Sequence, residues 1–305
     1  MGRGALMIGW IIAGTVIAAG AAAAACSHYE RNHVRFPRYE VESPGIGSAF
    51  DGYTIVVLAD LHENGAGRRN NRMLAEIRRI HPDAVIVAGD LVMAKHGTAM
   101  FSETVHLMKR LAYRYPVYYG LGNHEARMGW KPEEYGDAYA RWYEEMKRIG
   151  VTVLDNVSLT LRDGVDALTI TGLDLDRHYY KKVKQPPLEQ AYLEQTLGIA
   201  GKDEYHILLA HSPCYFKDYA AWGADLVFSG HYHGGTIRLP LLGGVIAPNF
   251  RPFPRYSRGK YTKNGKAMIV SGGLGTHSVN FRLGNCSEVP VVTLRASKEQ
   301  GTQRE

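Results

Sequence analysis

Five apolar runs of strand length each give way to side chains of the kind that bind metal ions. Residues 55–59 lead into Asp60-Leu61-His62, 84–88 into Gly89-Asp90, and 116–121 into Gly122-Asn123-His124-Glu125. Residues 206–210 lead into His211, and 225–229 into Gly230-His231-Tyr232-His233. Runs this short, continuous and rich in Val, Ile and Leu read as strands buried on both faces. In an α/β sheet ligands bind beyond the carboxyl ends of such strands, and all five polar clusters fall there. The pattern predicts that carboxylate, amide and imidazole groups from five strands converge on one rim. Glycines among them let the backbone turn sharply and approach an ion or a phosphate closely.

Residues two apart on an extended chain point the same way, so Asp60 and His62 are expected to share one ion, with His231 and His233 repeating the geometry. Asp90, fixed between them, can bridge two ions about 3.5–4 Å apart, the separation typical of two-metal hydrolytic sites. Asn123 and His211 fill the second ion's shell. Imidazole combined with carboxylate favours Zn, Fe or Mn, whereas an all-oxygen set would favour Mg or Ca; the donors do not choose among the first three. Taken singly, an Asp or His after a strand is usually a turn former or a helix cap. Five such motifs in order reverse that weighting.

In this order, Asp-x-His, Gly-Asp, Gly-Asn-His-Glu, a lone His before Pro and Gly-His-x-His-Gly-Gly resemble the calcineurin-like metallophosphoesterases. Within them the chain looks like the membrane-anchored bacterial phosphodiesterases related to UDP-2,3-diacylglucosamine hydrolases. The resemblance covers roughly residues 50 to 295 and includes Ile237-Arg238-Leu239-Pro240 and Ser271-Gly272-Gly273-Leu274-Gly275. It implies an α/β fold, a four-layer αββα sandwich of two packed mixed sheets flanked by helices. It also implies Asp60, His62 and His233 on one ion, Asn123, His211 and His231 on the other, and Asp90 bridging. His124 then falls at the family's catalytic histidine, which faces the scissile phosphate and binds no metal. Manganese is the first expectation for the ions. Two such ions lower the pKa of bound water from about 15.7 towards 7, giving a hydroxide nucleophile, while His124 stabilises or protonates the leaving oxygen. Two positions depart from the pattern. Glu125 stands where many relatives have Asp, and Met93 where many carry a second Asp, so the support of His124 is expected to differ.

The amino terminus is the second large feature. No charged residue occurs from Ala5 to Ala25, and about 20 apolar residues cross a bilayer as a helix. Residues 1–28 are therefore expected to be a signal anchor, 29–50 a juxtamembrane linker, 51–297 the catalytic domain and 298–305 a polar tail. An uncleaved anchor ranks above a lipoprotein processed at Cys26, where the usual Leu three residues earlier is missing, and above a secreted enzyme. Arg3 lies on one side of the apolar stretch and Arg31, Arg35 and Arg38 on the other, so the positive-inside rule decides nothing. The resemblance favours a single-pass protein of the bacterial cell membrane with an extracytoplasmic domain.

A net charge of +6 suits anionic substrates or a lipid surface and does not call for nucleic acid. Three cysteines are too few for a disulfide framework; Cys214 reads as a small buried residue close to the site. Lys181, Lys182 and Lys184 with Tyr179 and Tyr180 read as a solvated loop, Arg127 as a surface residue able to meet substrate phosphate, and His277 as a weak further candidate. Helices are expected over Arg69 to Ile80, Thr98 to Ala112 and Glu133 to Ile149. The expected activity is that of a membrane-tethered, two-metal phosphohydrolase acting on a phosphodiester or pyrophosphate, lipid-linked substrates included, with a monomeric catalytic domain. The alternatives are a cytoplasmic-face UDP-2,3-diacylglucosamine pyrophosphohydrolase and a catalytically silent metal-binding scaffold. All seven ligand positions and His124 are present, which weighs against the scaffold.

Overall fold

The computed structural model describes residues 2–64, 68–181, 185–201, 204–247, 252–276 and 279–297. His277, Lys182 and Lys184 lie outside these residues. The first half runs α1 (Gly2–Asn32), β1 (Arg38–Ser43), β2 (Thr54–Leu58), α2 (Arg68–Ile80), β3 (Ala84–Ala88), β4 (Met93–Lys95), β5 (Thr98–Met100), α3 (Ser102–Ala112) and β6 (Val117–Gly120). It continues through α4 (Asn123–Trp130), α5 (Pro132–Tyr135), α6 (Ala138–Arg148) and β7 (Thr152–Leu154). The second half runs β8 (Ser158–Asp163), β9 (Asp166–Leu173), α7 (Gln190–Leu197), β10 (Tyr205–Ala210), α8 (Phe216–Trp222) and β11 (Leu226–Ser229). The hairpin β12 (Ile237–Leu239) and β13 (Gly243–Ile246), then β14 (Gly259–Lys263), β15 (Lys266–Val270) and β16 (Val291–Ala296), complete it.

One sheet has the order β1-β16-β2-β3-β6-β7 and the other β14-β15-β11-β10-β9-β8. Strand alternation builds the layers. Ile55 and Val57 of β2 face the core between the sheets with Ile207 and Leu209 of β10. Val56 and Leu58 turn the other way, against α2, α3 and α6, while Leu208 and Ala210 pack on α7 and α8. A strand with apolar partners on both faces has no polar alternation, which explains the continuous runs. The result is the four-layer αββα sandwich. In the first sheet β2, β3 and β6 are parallel neighbours, and in the second β10 and β11 are, so the five motif-bearing strands end on a common rim.

Two helices differ from expectation. The third begins at Ser102 rather than Thr98, because its first N–H groups find an acceptor far away in sequence: Glu63 Oε atoms accept from Glu103 and Thr104 at 2.9 Å. Residues 133–149 form two helices, broken at Gly136, which has φ +59.

The expected linker at 29–50 is instead part of the domain. β1 pairs in parallel with β16, Arg38 opposite Val291 through Ser43 opposite Ala296. The foot of α1 is also docked. Ser27 and Glu30 are buried; Ser27 Oγ accepts the Arg282 N–H at 3.0 Å, and Glu30 accepts from Asn285 through its carboxylate (3.0 Å) and from Ser287 through its carbonyl (2.9 Å). Ahead of this foot α1 is apolar and exposed, long enough to cross a membrane by length and composition. A chain beginning at residue 45 loses an edge strand and these buried bonds. Hydrogen bonds to a charged group count for about 1.5–3 kcal/mol each, so its unfolding free energy in denaturant is expected to fall by about 3 kcal/mol or more. A chain beginning at residue 25 should keep the full-length midpoint.

Candidate metal centre

The ligand-type residues leave their strands in the left-handed backbone region. Asp60, His62, Asp90, His231 and His233 have φ of 53, 49, 57, 72 and 50°. Such angles cost a non-glycine residue of order 1–3 kcal/mol and gather at functional sites. The extended-chain argument for Asp60 and His62 therefore fails in its mechanism. The two side chains share a centre because the chain turns at both, with Leu61 between them buried in the helix-facing core. The loop is held to its neighbour by Asp60 N–H to Gly89 O, His62 N–H to Asp90 O and Glu63 N–H to Leu91 O, at 3.0–3.1 Å.

The side chains converge as two linked sets. His62 Nε2 lies 3.1 Å from His233 Nε2, which lies 3.3 Å from Asp60 Oδ1. Asp90 Oδ2 lies 3.1 Å from His211 Nε2 and 3.9 Å from His62 Nε2, between the sets. Asp60-His62-His233, His62-Asp90-His124 and Asp90-His211-His231 each bring their ligand atoms within 4.8 Å of one another. Asn123, at the start of α4, is buried, and its Oδ1 has no hydrogen-bond partner among the described residues.

Backbone bonds to the imidazoles separate their roles. His211 Nδ1 bonds Ala88 O at 2.7 Å and His233 Nδ1 bonds Gly275 O at 3.0 Å. A carbonyl accepts only, so each Nδ1 carries a proton and Nε2 is the atom turned to the centre, the orientation of a metal-binding histidine; burial lowers the pKa of His211, but Asp90 and Asp60 raise it to about 10, so a cation bound there would take the place of its second proton. His124 is the reverse. Its Nδ1 accepts the Ala94 N–H at 3.0 Å, so the neutral ring carries its proton on Nε2 and presents a donor. Its distance alone would admit His124 as a ligand with His62 and Asp90; its tautomer argues against that. Arg127 donates to Ala94 O at 2.7 Å, bracing the following peptide of the same residue. Met93, where an acid would otherwise stand, leaves this backbone group as the partner of His124.

Glu125 serves a different part than support of His124. Its buried carboxylate accepts the N–H groups of Asp90 (2.9 Å), Leu91 (2.9 Å), Val92 (3.2 Å) and Gly122 (3.0 Å) and the Tyr119 hydroxyl (2.7 Å). Burial and the nearby Asp90 push its pKa up, and these donors oppose the rise. The loop it grips needs glycine: a Cβ on Gly89, at φ +88, would come within 2.6 Å of the Gly122 backbone.

Charge at the centre is finely opposed. Burial, with Asp90 adding repulsion, pushes Asp60 up to about 7 against the attraction of His211. Burial also works against ionising Asp90, but His211, His124 and His62 outweigh it and hold Asp90 well below the usual carboxylate range. Two buried carboxylates this close ionise together only beside positive charge. With acceptor-facing imidazoles and the unsatisfied Asn123 oxygen, these residues fit divalent cations.

Some residues at the site carry no sequence motif. Tyr180 lies over His231 and His211, ring centroids 5.5 and 6.4 Å apart, and packs against Trp130 at 5.9 Å. Its buried hydroxyl has no hydrogen-bond partner among the described residues; the expected solvated loop turns both its aromatics inward, Tyr179 into the core beside α7 and α8 and Tyr180 over the site. Asn285 Nδ2 donates to His233 O and Gly235 O at 2.6 Å. Arg282, fully buried, donates to the carbonyls of Gly272, Gly273 and Gly275. The two hold the loop of a ligand histidine, and no local pattern announces either.

Comparison with known proteins agrees with this geometry. The pattern of the calcineurin-like phosphoesterase family matches residues 53–235. The chain is similar to the uncharacterized metallophosphoesterase YkuE of Bacillus subtilis (strain 168), 25% identical over 95% of this chain and 96% of that protein. It is also similar to phosphodiesterase YaeI of Escherichia coli (strain K12), 27% identical over 55% of this chain and 54% of that one. Among solved structures, the phosphopantetheinyl hydrolase PptH of Mycobacterium tuberculosis superposes with a TM-score of 0.44 at 14% identity, covering 74% of this chain and 91% of that one.

Replacing Glu125 by Ala strands four buried N–H groups. An unsatisfied buried group costs about 1–3 kcal/mol, so Glu125→Ala is expected to lose about 3 kcal/mol or more in denaturant unfolding, with metal content falling in parallel. Wild-type stability in that variant would remove Glu125 from this part.

Proposed function

Because the chain belongs to the calcineurin-like phosphoesterases and so hydrolyses phosphoesters with divalent metal, we propose that it is a membrane-tethered, two-metal enzyme that cleaves phosphodiesters or pyrophosphates, lipid-linked ones among them. The observation that carries this reading is the opposed backbone bonds at one rim: His211 and His233 donate from Nδ1 to carbonyls and turn Nε2 to the centre as the atom for a metal, whereas His124 accepts at Nδ1 and turns Nε2 to the centre as a donor.

Asp60, His62 and His233 would hold one cation, Asn123, His211 and His231 the second, and Asp90 both, since its Oδ2 lies between the two histidine sets. The ions supply positive charge to the phosphoryl oxygens and lower the pKa of water. The chain's own groups do the rest. The Nε2–H of His124 donates to a phosphoryl or leaving oxygen, and its backbone support keeps the donor pointing at the centre. Asp90 Oδ1 accepts the His124 N–H at 2.8 Å, so the carboxylate between the sets also fixes the first turn of α4 that carries His124. Glu125 holds the backbone under both. The exposed apolar α1 supports tethering, and a tether concentrates the enzyme where lipid-linked phosphates lie.

The test is hydrolysis of paired aryl phosphomonoester and phosphodiester substrates by the metal-stripped full chain given back Mn, Zn, Fe or Mg singly. His124→Ala is expected to keep two ions per chain and to lose about 10²–10⁴-fold in turnover, the usual share of one positioned acid. Asp90→Asn is expected to lose both activity and metal. If His124→Ala instead releases an ion, the histidine is a ligand and the proposed division of roles fails.

A further inference from the structure

The segment 280–284 bonds α1 on one side and β12 on the other, and so fixes their relative direction. Arg31 donates to Asn280 Oδ1 at 2.8 Å, and the Arg282 N–H donates to Ser27 Oγ at 3.0 Å. The segment thus climbs α1 from its last turn towards its amino-terminal part. β12 runs parallel to it: Ile237 bridges Leu283 in the parallel sense, Leu283 N–H donates to Thr236 O at 3.1 Å, and Arg238 N–H donates to Leu283 O at 2.8 Å. β12 therefore climbs in the same direction. Three further residues of extended chain advance roughly 10 Å, the rise of about six or seven helical residues. The turn at Pro240-Leu241-Leu242 is thereby carried level with the exposed apolar part of α1 ahead of Ser27.

That turn is apolar and bare. Leu241 is fully exposed, Leu242 64% and Leu239 43%. The surrounding sequence has one sign of charge: from Thr236 to Lys263 it contains four Arg and two Lys and no acid. Arg255 is exposed over the Tyr256 ring, 5.3 Å from its centroid. Arg258 is paired with Glu288 and Lys260 donates to the Glu40 carbonyl, so bare leucines accompanied by the exposed Arg255 are what match an anionic bilayer, whose phosphates attract cations at the surface while its interior takes apolar side chains.

We infer that the β12–β13 hairpin is a second membrane contact, its leucines entering the same apolar layer as α1 and the exposed Arg255 meeting anionic lipid phosphates. This rests on the reading of α1 as a membrane span. Ile237 follows His233 by four residues, and Asn285 ties Gly235 and His233 together. Two-point attachment therefore holds the metal-bearing loop at a fixed attitude to the lipid surface, where phosphates borne by lipids meet it.

The experiment uses the full chain in nanodiscs of phosphatidylcholine and phosphatidylglycerol, with ordinary or brominated acyl chains that quench indole fluorescence on contact. Trp10 reports α1. In a Trp10→Phe background, Leu241→Trp reports the hairpin tip, and Val165→Trp, a 97% exposed position on the β8–β9 turn, serves as the control. The added emission of Leu241→Trp is expected to fall about twofold or more on bromination, as for a side chain seated at the headgroup and acyl boundary, and that of Val165→Trp to stay unchanged. Trp10 quenched with Leu241→Trp unquenched overturns the hairpin contact and leaves the tether standing. Trp10 unquenched overturns the tether itself. Equal quenching at 241 and 165 also overturns the hairpin contact, because the tip then has no preference for lipid.

Discussion

A carboxylate without water must be surrounded by donors or give up its charge, and at Glu125 the fold turns that demand into architecture. Its two oxygens gather backbone N–H groups from the loop after β3 and from the start of α4, with the Tyr119 hydroxyl closing the set. That loop carries Asp90, and that helix carries Asn123 and His124. Five donors from three elements fix the distance between the carboxylate that joins the two histidine sets and His124, the proposed donor to substrate. Positions set this way do not relax when charge arrives, and such preorganisation is what a phosphoryl-transfer site needs. Strained φ at Asp60, His62, Asp90, His231 and His233 is sustained by the same buried framework.

The second framework lies on the opposite side of the ligand loops. Arg282 and Asn285 hold the carbonyls around His233 and Gly275, and their own backbone amides are accepted by Ser27 and Glu30 at the foot of α1. The apolar helix is thus continuous with the metal centre through two buried side chains. An anchor that ended in a loose linker would leave the domain free to tumble above a membrane. Under the proposed tether, docking by buried hydrogen bonds would give the domain an orientation, with the bare leucines of the β12–β13 turn in the direction that orientation sets.

The rim was legible in the sequence because apolar runs buried on both faces are hard to mistake and the residues that follow them carry metal chemistry. The layer order came with the family resemblance that those motifs carry. What stayed hidden was whatever depends on partners distant in sequence or on the backbone itself. The late start of α3 is set by Glu63, forty residues upstream of its partners. The proton on His124 is set by the Ala94 amide, which every residue type but proline would offer. Asp60 and His62 were paired correctly for an incorrect reason, since left-handed turns and not an extended chain aim them. Glu30 and the strand at 38–43 read as linker, and Ser27 as the end of the anchor, because their bonding partners lie some 250 residues away.

The central claim is the division of labour among the imidazoles, and anomalous X-ray scattering from crystals grown with manganese reads it most directly. Two anomalous peaks sharing Asp90, with His124 bonded to neither, are the predicted result. A single peak, or an ion coordinated by His124 Nε2, would contradict it.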